Sequence, residues 1–277
     1  MNDAALHNEI KVALQWYADN GVSDCLLEEP FDHTAPVDPP VIMMPAAASI
    51  GRGSEQSAPS PFLGKIDAYD EAVKLAKAVN TLDELRDSIL GFDGIAIKKN
   101  ASHMVFSDGQ AQAKIMIIGE APAADDDRTG TPFSGESGKL LDKILSCIGL
   151  SRSADEVEKA VYLTNILNWR PPGNRPPNSA EIEVSMPFIE RHIQLVKPDI
   201  LILFGSTVAK SLLNNTQSIS RLRGSWHDYT CQTDALGAGG ASISTLATYH
   251  PQQLLSTPLQ KKSVWEDMLR LQAKIHK

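Results

Sequence analysis

Three segments carry residues whose types and spacing suit chemistry, and each directly follows a short apolar run. The first is Gly119–Gly138, GEAPAADDDRTGTPFSGESG. Its small residues let backbone approach a ligand closely at the start of a helical stretch, where free amides point outward. Gly138-Lys139 superficially suggests a phosphate-binding P-loop. Yet Phe133 stands five residues before Gly138, where that motif needs glycine, and Leu140 stands where Ser or Thr must meet magnesium. Nucleotide hydrolysis is excluded on both counts. The plain alternative is a polar loop with a solvated acidic run, Asp125–Asp127.

The second segment is Thr164-Asn165 followed by Trp169-Arg-Pro-Pro-Gly-Asn-Arg175. Asn165 either caps a turn or reads a base edge, because an amide offers a donor and an acceptor side by side. The proline-rich loop either holds phosphates through Arg170 and Arg175 or is simply a rigid turn. The third is Tyr249-His-Pro-Gln-Gln-Leu-Leu255. A histidine before proline is by default a loop residue, but at the carboxyl end of a strand it becomes a candidate catalyst.

What must position these residues is a set of short apolar strands. Lys114–Ile118, Val161–Ile166, Ile200–Phe204 and Ile243–Tyr249 read as buried parallel strands. Helical spacing marks Ala68–Val79, Gly138–Ile148, Ser179–Val196, Thr207–Asn214 and Ser263–Ile275. Thr81-Leu-Asp-Glu84 matches a capping box opening a helix to Leu90. Strands alternating with helices imply right-handed crossovers and a mostly parallel sheet covered on both faces. Ligands in such sheets bind beyond the carboxyl ends of the strands, and there Glu120, Asn165, Gly205 and His250 stand.

Composition sets the frame. The chain has 277 residues, is 42% hydrophobic and carries a formal net charge of -8. It can bury a core, so wholesale disorder is excluded. No apolar run approaches a bilayer span, and no signal-peptide pattern opens the chain, so a cytoplasmic protein is expected. Cys25, Cys147 and Cys231 share no C-x-x-C spacing, which removes a disulfide framework and a zinc ribbon. Residues 1–80 hold 5 basic and 12 acidic residues, a net of -7, against 21 and 22 in the remainder, a net of -1. A nearly neutral core can still gather its arginines on one face, so bulk charge does not decide the partner.

From about Thr81 to the C-terminus, GEAP…G-x-PF-x-G-x-x-G, TN…RPPGNR and HP-x-x-LL stand in the order and spacing of one group of proteins. The chain resembles the uracil-DNA glycosylase superfamily, most closely family 4, whose members normally carry an iron–sulfur cluster. The resemblance implies a three-layer α/β/α sandwich around a central four-stranded, mostly parallel sheet. It implies a partner, uracil-containing DNA, whose uracil is flipped out and cut from its sugar. Phe133 would stack on the base, Asn165 would pair with its N3–H and O4, and His250 would stabilise the departing anion near O2. Glu120 is the first choice for orienting water or balancing the sugar's positive charge, and Asp126 the second. Ala121, lining the uracil site, stands where family 1 enzymes place an aspartate, and it cannot activate water. Asn174 would assist, Leu254 would wedge into the vacated stack, and Arg170, Arg175, Arg221 and Arg223 are candidates for phosphate contacts.

The chain also departs from the family. The four cluster cysteines correspond to Phe92, Ile95, Trp169 and Ser185, none of which can be a thiolate ligand, so no cluster and no metal are expected. Ala123 replaces the final glycine of GEAPG, and Gln252 replaces the serine of HPS. A binder that retains uracil DNA without cutting it is the alternative. Keeping Phe133, Asn165 and His250 favours cutting, because a binder needs no leaving-group stabiliser.

Residues 1–29 read as an amphipathic helix region able to meet a protein partner, 30–62 as a Pro/Ala/Ser-rich flexible linker, and 63–277 as the catalytic domain of a monomer. The acidic N-terminal segment would repel phosphates. A chain starting near Phe62 should therefore still excise uracil. Loss of excision by a folded truncation, followed with a labelled oligonucleotide, would contradict this division.

Overall fold

The structure, a computed structural model, describes residues 65–276. The proposed N-terminal helix region and linker lie outside the described residues. Helices α1 (Lys65–Ala78) and α2 (Leu82–Gly91) precede strand β1 (Ser107–Gly109) and β2 (Ile115–Gly119). Then come α3 (Ala124–Thr129), α4 (Glu136–Ser146), β3 (Val161–Asn165), α5 (Ser179–Val196) and β4 (Ile200–Phe204). The chain continues through α6 (Ser206–Leu212), α7 (Ile219–Leu222), β5 (Trp226–Tyr229) and β6 (Ile243–Thr248), ending in α8 (Pro251–Ser256) and α9 (Lys261–Ile275).

The strands form one six-stranded sheet in the order β1-β3-β2-β4-β6-β5. Its centre, β3-β2-β4-β6, is parallel, as the four apolar runs predict. Two short antiparallel edge strands extend it: β1 on β3 and β5 on β6. Neither is apolar enough to announce itself, and each exists because a neighbour's free edge offers backbone partners. The chain places β3 on one side of β2 and then crosses to β4 on the other. That reversal opens a crevice at the carboxyl ends.

Alternate residues of each central strand face opposite layers, because strand side chains have a period of two. Met116, Ile118, Leu201 and Leu203 pack with Ile189 and Ile193 of α5 and Val208 of α6. Ile115, Ile117, Ile200 and Ile202 pack with Leu141 and Leu145 of α4, Leu254 of α8, and Met268 and Leu271 of α9. Helices on both faces make the three-layer sandwich the resemblance implies. A third cluster joins α1 and α2 to α5, where Ala68, Ala72 and Ala76 repeat every four residues and let α1 come close. Thr81 Oγ1 accepts from the Glu84 amide (3.2 Å), while the Glu84 carboxylate returns to the Asn80 amide (2.6 Å), one residue earlier than in a standard box. Among the described residues no helix is long and apolar enough to cross a membrane.

One buried titratable group sits under the sheet edge. His192 of α5 is 2% exposed, stacks on Phe106 at 4.6 Å, and its Nε2 meets the Tyr162 hydroxyl at 2.8 Å. Burial pushes its pKa from 6.5 down to about 3. Below pH 6.5 the unfolded chain therefore takes up a proton that the folded chain refuses. Stability from this group is complete above 6.5 and is lost as pH falls toward 3. Urea unfolding between pH 7 and pH 4 should show a slope that His192→Gln flattens by about one proton, or ~1.4 kcal/mol per pH unit. An unflattened slope would place the acid sensitivity elsewhere.

Candidate active site

The site begins where β2 and β3 end in register, with Gly119 opposite Asn165. A Cβ on Gly119 would lie 2.3 Å from Asn165 Oδ1 and 2.7 Å from Phe133 Cζ. Only glycine lets the amide and the ring close over this strand end. Asn165 is buried, and its Nδ2 has no hydrogen-bond partner. An unpaired buried donor costs about 1–3 kcal/mol, and at a strand end that lines a cleft a ligand's acceptor would offset that cost.

Phe133 completes the pocket in a strained conformation, with φ at 54°. Its ring is stacked on His250 at 5.6 Å and 23°, and meets Phe204 edge-on at 6.4 Å. Gly138 makes room for this turn, since a Cβ there would sit 1.6 Å from the Phe133 carbonyl oxygen. The turn is also held by Asp126, whose carboxylate accepts from the Ser134 amide (2.7 Å) and the Ala123 amide (3.0 Å). Burial pushes the Asp126 pKa up, while these amides pull it down. Asp127 likewise accepts from the Ser102 and His103 amides (2.8 and 3.1 Å).

The reading of Asp125–Asp127 as a solvated run is therefore corrected. The segment forms α3, Asp126 and Asp127 are buried, and only Asp125 stays exposed, paired with Arg128 at 3.2 Å. Spacing hides this, because the amides that Asp127 accepts lie 24 and 25 residues away.

His250 precedes α8, and its Nδ1 accepts from the Gln252 amide at 3.1 Å. That bond assigns the neutral ring's proton to Nε2. Burial lowers its pKa to about 4, so the imidazole is neutral near pH 7. Two residues earlier, Thr248 Oγ1 donates to Asp267 of α9 at 2.7 Å. Arg223 grips the same carboxylate through Nε (3.0 Å) and Nη2 (2.9 Å). Arg223 is thereby an internal brace rather than a phosphate contact: its side chain is 16% exposed and its fork is occupied.

Gly205, at the end of β4, is a site residue that motif reading underused. With φ at 105°, its missing Cβ would stand 3.7 Å from His250 Cβ and 3.9 Å from Glu120 Oε2. Its position after ILILF was the available signal.

A cleft of about 680 Å³ gathers Glu120, Ala121, Asp126, Phe133, Asn165, Asn174, Arg175 and His250. Asn174 accepts from Arg170 Nε at 2.7 Å, and Arg175 pairs with Glu181 at 2.9 Å. Arg221 is exposed on α7, outside the cleft lining. Leu254 is corrected as the wedge: it is fully buried among β6, α4 and α9 residues and cannot leave without opening the core. Its neighbour Leu255 is 40% exposed and lines the cleft.

The four positions corresponding to cluster cysteines do not fit an iron–sulfur group. Phe92, Ile95 and Trp169 pack in one apolar cluster with Val184 and Phe188, and the Phe92 and Phe188 rings meet edge-on at 5.2 Å. Ser185 is buried on α5. Such side chains supply no thiolate. Cys147 is exposed on the far end of α4 and Cys231 follows β5. Among the described residues no group of three or more His, Cys, Asp or Glu can hold a metal ion.

The sequence of this chain matches known proteins across the span that carries the site. The family model "Uracil DNA glycosylase superfamily" matches residues 106–269. The chain is 29% identical over 197 residues to the type-4 uracil-DNA glycosylase of Archaeoglobus fulgidus, covering 70% of this chain and 92% of that one. It is 31% identical over 198 residues to the type-4 enzyme of Saccharolobus solfataricus, covering 70% and 86%. It is 28% identical over 155 residues to the type-5 uracil-DNA glycosylase of Pyrobaculum aerophilum, covering 53% and 64%. The strand-end amide, the ring in its strained turn and the neutral imidazole thus sit inside the matched span, and the chain belongs to the uracil-DNA glycosylase superfamily.

Proposed function

We propose that this protein is a DNA repair glycosylase that flips uracil from DNA and hydrolyses its N-glycosidic bond, leaving an abasic site. The observation that carries the reading is the unpartnered, buried Nδ2 of Asn165, set beside the Phe133 ring and His250. Uracil offers O4 to that donor and N3–H to the neighbouring Oδ1. Cytosine offers an amino group and a bare N3, so both positions clash, and a site built around polar pairing rejects such a mismatch strongly.

In the hydrolysis, water bonds to the sugar's C1′ as the C1′–N1 bond breaks, the bonding pair leaves on uracil, and the proton the water sheds ends on the uracil anion. Neutral His250 donates from Nε2 to O2 as charge gathers there, a preorganised electrostatic contribution. Glu120, across Gly205 from His250, orients the water or offsets the positive sugar. Asp126 is a weaker candidate for that work, because its oxygens already serve the Phe133 turn. Asn174, held by Arg170, lines the same cleft, and Leu255 takes the wedge role that Leu254 cannot. Arg170 and Arg221 remain phosphate candidates, as does Arg175, whose fork on Glu181 is far more exposed than that of Arg223 and can open to a phosphate. The setting we propose is a cytoplasmic monomer, with residues 1–29 available to a protein partner.

Alkali cleavage of a labelled uracil oligonucleotide after incubation distinguishes cutting from retention. Asn165→Asp should lose uracil selection, since a carboxylate keeps an acceptor for N3–H but repels O4. His250→Ala should slow single-turnover cutting about 100- to 1000-fold, roughly 3–4 kcal/mol. Gel-shift affinity should fall far less, because phosphate contacts and stacking persist. Wild-type cutting by His250→Ala would make His250 a loop residue.

The packing around Phe92, Ile95 and Trp169 also supports a protein that works without a cluster. The purified chain should be colourless and keep full excision in chelator. A brown preparation absorbing near roughly 400 nm, the range of thiolate-bound iron–sulfur groups, would overturn that reading.

A further inference from the structure

Arg152 lies between α4 and β3, and no motif points to it. Its side chain is only 16% exposed, and its guanidinium is spent almost wholly on other parts of the fold. Nη1 donates to the Pro132 carbonyl (3.1 Å) and Nη2 to the Phe133 carbonyl (3.2 Å). Nη1 also pairs with Asp108 of β1 (2.9 Å), and Nε with Asp142 of α4 (2.8 Å). One side chain thus ties an edge strand, a helix and the turn that carries Phe133.

The turn needs such a tie. A bulky aromatic residue at φ of 54° is disfavoured on its own and persists only where its surroundings over-determine it. Gly138 removes a clash with the Phe133 carbonyl but applies no force to it. A planar fork that takes two successive carbonyls selects the backbone geometry presenting both, and two carboxylates fix the fork in turn. We infer that Arg152 is a positioning residue that, from the carbonyl side of the turn and alongside Asp126 on the amide side, holds the Phe133 ring in its stacking orientation. The inference rests on the stacking role proposed above for Phe133.

A double-mutant cycle on single-turnover uracil excision tests it. Arg152→Ala should slow cutting about 10- to 100-fold, the scale of a misplaced site group. Arg152→Lys should recover little, because an ammonium cannot fork between the carbonyls. Arg152→Gln runs beside them, so that the comparison does not depend on one variant folding. In a Phe133→Ala background the same Arg152→Ala change should matter less than about twofold, the scatter of additive sites. Wild-type cutting by Arg152→Ala, or an equal slowing in both backgrounds, overturns the inference.

Amide exchange across residues 131–138, measured without DNA, gives a second readout. Arg152→Ala should speed exchange in this turn, and unchanged protection counts against the tie. If the wild-type protein excises no uracil, the proposed function fails while the exchange result still decides what Arg152 holds.

Discussion

Everything in the cleft depends on β2 and β3 ending together, with Gly119 against Asn165 at the carboxyl edge of a parallel sheet. Parallel pairing places all central strand ends on one side, so loops distant in the sequence meet there. The in-register end puts the Asn165 amide at a fixed height above the sheet. The missing Gly119 side chain leaves the space that the amide and the Phe133 ring share. A slip of one residue would turn Asn165 to the other face and dissolve the pocket.

Around this point the protein uses buried carboxylates as fasteners for backbone and loops. Asp126 and Asp127 accept amides from four different residues and hold α3 against the Phe133 turn and residues 102–103. Asp267 joins Thr248, next to the His250 loop, to Arg223. Glu190, fully buried on α5, accepts the Gln232 and Thr233 amides at 2.6 and 2.9 Å and pins the chain beyond β5. A buried carboxyl group is costly, and several hydrogen bonds at each one offset that cost. The consequence for function is rigidity: Phe133 and His250 sit on loops, yet each loop is anchored from behind.

The apolar cluster of α1, α2 and α5 performs a related task for the proline-rich loop. Trp169 is buried in it, immediately before the proline-rich loop whose Pro171, Asn174 and Arg175 wall the cleft. Lys98 reaches the Leu90 and Phe92 carbonyls at the end of α2 and lies over the Trp169 ring at 5.9 Å. The loop therefore leaves from a base fixed by dispersion contacts, edge-on aromatics and a cation over a ring. Metal coordination is one way to brace such a loop, and close packing is another.

The residues themselves determined the alternation of strands and helices, the parallel centre of the sheet and the strand ends that carry the site. These are local properties: short apolar runs, helical spacing and glycine or asparagine at run ends are all readable within a few residues. Phe133, Asn165 and His250 came instead from the order of three motifs that resemble one family, since alone each also suited an ordinary loop or cap. The edge strands, the burial of Asp126 and Asp127, the pairing of Arg223 with Asp267 and the burial of Leu254 beside an exposed Leu255 were decided only by the tertiary structure. Each turns on which partner stands across space. An acidic run looks solvated until amides from residues 102, 103 and 134 arrive to meet it. Adjacent leucines are equivalent by composition until α8 docks and its rotation buries one and exposes the other. Burial and pairing are properties of the packed fold, and no window of sequence contains them.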